Sequence, residues 1–89
     1  MNKRHEEIER EEFLRVKRRF PQARLKADYN REIIDIGVEI PTQEGVWILL
    51  KGEQTNDCYE LISPGFAWFE RLETLDDVAR TLYSCRESS

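Results

Sequence analysis

Six places in the 89-residue chain carry residue types that could do chemistry. His5-Glu6-Glu7-Ile8-Glu9 resembles the start of a zinc-protease helix. That mechanism needs two histidines at i and i+4 to hold the metal. His5 is the sole histidine, so no metal site is expected. Cys58 and Cys85 stand alone in separate elements. Without a second histidine or a Cys-x-x-Cys pair, metal binding lacks ligands and thiol catalysis lacks a base. Asp76 and Asp77 are adjacent carboxylates, and paired acids can move protons. They follow Thr74 directly into a helix, where the first turn favours negative charge, so capping explains them better. Gly52 to Asp57 lacks the Asp-x-Asp-x-Asp-Gly spacing of a calcium loop. Ser63 has no nucleophile-elbow context. No catalytic residue, metal or cofactor is expected, and the chain does not read as an enzyme.

Two other clusters could bind rather than react. Arg15, Lys17, Arg18 and Arg19 form a basic run, with Arg24 and Lys26 close in sequence. They make nucleic-acid binding an alternative reading. Against it, Glu7 and Glu11 share the helix face of Arg15 and Arg18, and phosphate binding depends on net neutralisation. A helix end that balances its own dipole explains the same residues. The second cluster is aromatic and apolar. Strand residues are large on both sides: Trp47 and Leu49 against Val46, Ile48 and Leu50, and Phe66 and Trp68 against Phe69. Two short helices can cover one side only. The surplus predicts an exposed patch of the kind that marks interfaces. Trp47, Leu49, Tyr59 and Trp68 are the expected partner-binding residues.

The elements that must position these residues follow from periodicity. A helix is expected from about His5 to Arg19, acidic first and basic last, as its dipole prefers. Ile8, Phe13, Val16 and Phe20 fall within an arc of about 140° and form its buried stripe. Leu14 falls outside it. Pro21 ends the helix. Alternation predicts strand one over residues 23 to 29, a tight turn at Asn30-Arg31, and strand two from about Glu32 to Ile40. In strand two, Ile34, Ile36, Val38 and Ile40 point one way. Pro41 to Gly45 is the expected turn. Strand three, Val46 to Lys51, is apolar on both sides and therefore central. Strand four covers about Cys58 to Ile62, and strand five about Phe66 to Leu72. A second helix is expected from Leu75 to about Ser84, capped by Thr74, with Asp77 completing a capping box. Leu75, Val78, Ala79 and Leu82 form its core face.

The order α-β-β-β-β-β-α with short connections predicts an α+β two-layer sandwich: an antiparallel meander of about five strands flanked by an N-terminal and a C-terminal helix. The length predicts one domain over residues 1–89, with polar tails at 1–4 and 86–89. A chain this short buries only about 60 % of its unfolded surface. The net charge of −4 disfavours general adhesion to DNA or anionic membranes. Val46 to Leu50, the longest apolar run, is far shorter than a membrane span, and Met-Asn-Lys-Arg-His-Glu-Glu does not read as a secretory signal. Two cysteines are too few for a disulfide scaffold, so a reducing, cytoplasmic setting is expected. The first functional expectation is a small cytoplasmic protein–protein interaction module, homodimeric or bound to a protein partner, of the size of an accessory regulator or inhibitor.

Overall fold

The computed structural model describes residues 3–26, 28–30 and 32–87, and the side chains of 6–26, 28–30 and 32–83. Its elements are α1 (Lys3–Arg19), β1 (Arg24–Leu25), β2 (Ile36–Thr42), β3 (Gly45–Lys51), β4 (Tyr59–Ile62), β5 (Phe69–Leu72) and α2 (Leu75–Glu87). The strands form one antiparallel sheet in sequence order, with β1 and β5 at its edges. Both helices contribute to the core on the same side of it. The fold is the expected α-β-β-β-β-β-α sandwich.

The apolar stripe of α1 buries in its C-terminal half. Val16 and Phe20 are fully buried and Phe13 packs against them. Ile8, expected in the same stripe, is only half-buried and outside the core, and Leu14 is exposed. After Pro21 the chain turns sharply. Lys17 Nζ donates to Pro21 O at 3.2 Å and Ala23 O at 3.1 Å, satisfying carbonyls just past the helix end. On α2, Val78, Ala79 and Leu82 are buried and Leu75 packs beside them. Facing these helices are Ile36, Val38, Ile40, Trp47, Leu49, Tyr59 and Leu61. Each such apolar side chain contributes roughly 1.5–3 kcal/mol when fully withdrawn from water.

Several boundaries differ from the periodic reading. Strand one shrinks to Arg24–Leu25, and the connection to β2 is irregular, not a tight turn at Asn30-Arg31. Arg31 itself lies outside the described residues. Ile33 and Ile34 amides both bond to Asn30 O, which curls the chain before the ladder starts. β2 therefore begins at Ile36, although Ile34 is still buried. It also runs on through Pro41 to Thr42, and the hairpin closes over Gln43-Glu44 with Thr42 opposite Gly45. Thr42 Oγ1 accepts from the Glu44 amide at 3.2 Å and donates to Gly45 O at 3.0 Å. Gly45 takes φ 132°, and a Cβ there would sit 2.9 Å from Pro64 Cβ. Only glycine suits both demands.

Strand five starts at Phe69, not Phe66, because Pro64–Phe66 forms a 3₁₀ turn. At α2, Thr74 Oγ1 accepts from the Asp77 amide at 3.1 Å. Asp77 does not complete the capping box, since its carboxylate pairs with Arg80 at 3.1 Å. The helices also reach into the expected tails, to Lys3 and Glu87, while residues 1, 2, 88 and 89 lie outside the described residues.

Candidate functional site: the outer side of the sheet

Directly opposed residues in antiparallel strands point to the same side. Val38 opposes Leu49, which opposes Leu61, and Ile40 opposes Trp47. These belong to the helix-covered core. The other parity faces away from the helices. Pro41 opposes Val46, Glu39 opposes Ile48, Ile48 opposes Ile62, and Ile62 opposes Phe69. Pro41, Val46, Ile48, Ile62 and Phe69 thus make an apolar stripe across the outer side. Ion pairs bound it at each end: Arg24 Nε to Glu39 Oε1 at 2.7 Å towards β1, and Arg71 Nε to Glu60 Oε1 at 3.6 Å towards β5. Ile48, Leu50 and Ile62 are half-buried, Val46 is exposed, and Phe69 is 66 % exposed.

The stripe ends at an exposed aromatic corner. Residues 65–71 are all exposed, an unbroken run through the β4–β5 connection into β5. Phe66 is 73 % exposed with φ 57°. A bulky side chain in the left-handed region is an outlier that costs about 1–2 kcal/mol. The turn holds it regardless: Ser63 O accepts from the Phe66 amide at 3.0 Å, and Ser63 Oγ accepts from the Trp68 amide at 2.9 Å.

The four expected partner-binding residues divide three to one. Trp47, Leu49 and Tyr59 are 2 %, 1 % and 4 % exposed, so they belong to the core and not to an open patch. Trp47 Nε1 donates to Thr42 Oγ1 at 3.2 Å, which satisfies its one polar atom inside. Trp68 is exposed, with its ring edge-on to Trp47 at 5.6 Å between centroids. The outer residues Val46, Ile48, Ile62 and Phe69 take the place of the other three. The signal that finds them is the hairpin register. A two-residue turn at Gln43-Glu44 sets Trp47 against Ile40, whose inward direction is already fixed by alternation along β2.

The basic end of α1 is largely occupied by its own chain. Arg15 Nη1 pairs with Glu12 at 3.0 Å, and Arg19 Nη2 pairs with Asp76 at 3.1 Å. Lys17 bonds the carbonyls after the helix and lies over the Phe13 ring. Only Arg18 of the four has no partner among the described residues.

An open cleft of about 330 Å³ lies beside α2, where Arg15, Lys51, Glu73 and Asp76 meet. Lys51 Nζ donates to Glu12 Oε2 at 2.6 Å and stands 5.1 Å from the Tyr59 ring centroid. Burial pulls the Lys51 pKa down, but the Glu12 hydrogen bond and the charges of Tyr59 and Glu12 outweigh it, leaving the value above the usual lysine one. Arg15 and Lys51 both pair with Glu12, and Asp76 pairs with Arg19. A crevice of about 390 Å³ between α1 and Leu25 is lined by Glu6, Glu9, Arg10 and Phe13. Tyr29 closes on that helix too, donating its hydroxyl to Glu9.

Among the described residues no cluster of three metal-ligating side chains forms. The side chains of His5 and Cys85 lie outside the described residues, and Cys58 is a half-buried free thiol. No helix among the described residues is long and apolar enough to cross a membrane. The chain matches no protein-family model, no curated protein and no solved structure, so its reading rests on the geometry of this outer side.

Proposed function

We propose that the chain is a small protein–protein interaction module that docks through the outer side of its sheet and the aromatic corner beside it. One observation carries this reading. Val46, Ile48, Ile62 and Phe69 form an apolar stripe on the side opposite both helices, and Phe69 at its end is 66 % exposed. Exposing such groups to water is unfavourable, and patches rimmed by charge are the usual form of a docking surface. The ion pairs at either end supply that rim. The acidic balance and the absence of nucleotide or metal motifs suit an accessory regulator or inhibitor of a larger protein in a reducing cytoplasm.

A photo-crosslinking amino acid at Phe69, with another at the exposed Leu14 of α1 as control, tests the reading. Defined crosslinked products from position 69 and none from position 14 are expected. Equal products from both positions, or none from either, would remove the outer side as a docking surface.

A further inference from the structure

We propose that the free edge of β5 pairs with β5 of a second copy, joining two five-stranded sheets into one. This rests on the interaction reading and names its partner at the aromatic corner.

The two edges of the sheet differ. β1 offers two residues, whereas β5 offers four, continuing an exposed run without proline, with Glu70 and Arg71 as the charges it carries. An edge strand presents free N–H and C=O groups that another strand can pair with. The β4–β5 ladder fixes which peptide groups are free. Ser63 N donates to Trp68 O at 2.9 Å, so Ser63 and Trp68 form a hydrogen-bonded pair. Antiparallel ladders alternate, so Glu70 and Leu72 also turn their peptides towards β4. The peptides of Phe69 and Arg71 then point outward, with no backbone partner among the described residues.

Self-pairing about a twofold axis leaves few registers. Opposed residues must lie on the same side of the joined sheet, and the hydrogen-bonded pairs must use Phe69 and Arg71. A register centred on Arg71 sets Arg71 against itself and Phe69 against Glu73. One centred on Phe69 needs Ala67 as strand, but Ala67 has φ −68° and ψ −36°, which is helical. A register centred on Glu70 sets Phe69 against Arg71 of the second copy, twice. Both are outward-facing residues, giving four backbone hydrogen bonds and two ring–guanidinium contacts. It also sets exposed Trp68 against half-buried Leu72, twice. Its one unfavourable contact is Glu70 against Glu70, where both carboxylates are exposed and screened. Joining the edges brings the two outer apolar stripes side by side and doubles the docking surface. Pairing four edge residues is a small contact against the roughly 800 Å² per partner of a standard interface, so the association should be weak and dependent on concentration.

The test is sedimentation velocity on the full chain over about 5–500 μM, with amide exchange at both ends of that range, since mass action ties dimer population to concentration. The wild type is expected to move towards twice the chain mass, with the Phe69 and Arg71 amides gaining protection in step. Arg71→Pro removes an N–H that faces the free edge, a place where proline is tolerated, and should weaken association at least about tenfold. Glu70→Gln should tighten it about threefold, and Val46→Glu, two strands away, should leave it unchanged. A monomer throughout overturns the proposal. So does a dimer that forms with Phe69 and Arg71 unprotected, or one that Val46→Glu abolishes, which would mean face-to-face packing. The exchange arm uses the wild type, so the test does not depend on the folding of Arg71→Pro. A monomer that still crosslinks other proteins from position 69 would end the edge proposal alone and leave the docking reading standing.

Discussion

Gly52 shows how one residue can hold two segments together through space alone. Its φ is 161°, extended backbone that any residue adopts, so conformation does not demand glycine. A Cβ there would lie 2.6 Å from Asp35 N, 2.7 Å from Ile33 O and 2.7 Å from Ile34 Cα. All three are backbone atoms pinned by bonds from Asp35 N to Lys51 O and from Gln54 N to Ile33 O. Gly52→Ala is therefore expected to destabilise the fold by about 1–3 kcal/mol, read as a lower denaturation midpoint at unchanged slope. Lys51 gives a second residue-scale prediction. Its pKa is raised, so the folded chain holds the proton more tightly than the unfolded one. The stabilisation is complete below the usual lysine value of 10.5 and is lost as pH rises through the higher folded value. Thermal unfolding of the wild type should weaken across that alkaline range relative to Lys51→Met, which lacks the step. Two wild-type and variant curves that stay parallel there would contradict the Glu12 pairing as its cause.

At the scale of elements, the start of α2 is held by the Thr74 side-chain cap. Thr74 satisfies the Asp77 amide, and Asp77 turns to Arg80 without bonding back. Thr74→Ala should cost about 1 kcal/mol, measurable by chemical denaturation, with Thr74→Ser largely restoring it. The Arg19–Asp76 link between the helices has side chains 50 % and 73 % exposed, and such pairs contribute little. The helices are instead held by burial of Val16, Phe20, Val78 and Leu82 against the sheet. The stripes of both helices were readable from spacing, because a 3.6-residue period leaves one narrow arc apolar. The short β1 was not. Ala23, Leu25, Ala27 and Tyr29 alternate as a strand should, but only Arg24 and Leu25 pair with β2. Tyr29 is drawn away: its ring lies against Gly37 and its hydroxyl reaches Glu9. Contacts between distant parts of the chain override local alternation of that kind.

For the whole molecule, the outer stripe separates stability from association. Val46 and Phe69 are exposed, so a Val46→Thr, Phe69→Thr pair should change unfolding free energy by no more than about 0.5 kcal/mol, as surface substitutions usually do. The same pair should lower binding of a dye for exposed apolar surface and reduce crosslinking from a probe at Ile48. Loss of several kcal/mol would instead mean that these side chains are structural. Leu49→Ala, on the inner side of the same strand, provides the contrast, with an expected cost of about 2–5 kcal/mol.

The sequence by itself determined the element order, the apolar stripes of both helices, the inward set Ile34, Ile36, Val38 and Ile40, and the surplus of apolar groups beyond what two helices cover. Each is a local period or a count, and needs no knowledge of pairing. Only the tertiary structure decided which side of β3 is inside. A strand that is apolar on both sides carries no directional signal of its own, and a one-residue slip exchanges the two sets. The closure of the β2–β3 hairpin at Thr42 and Gly45 settled it, sending Trp47 and Leu49 inward and leaving Val46, Ile48 and, through β4, Phe69 outside. Within the basic run of α1 the tertiary structure decided only Arg19, which meets Asp76 of α2 once the chain has folded. Arg15 pairs with Glu12 three residues before it and Lys17 with the carbonyls just past the helix, contacts of helical spacing and chain continuity.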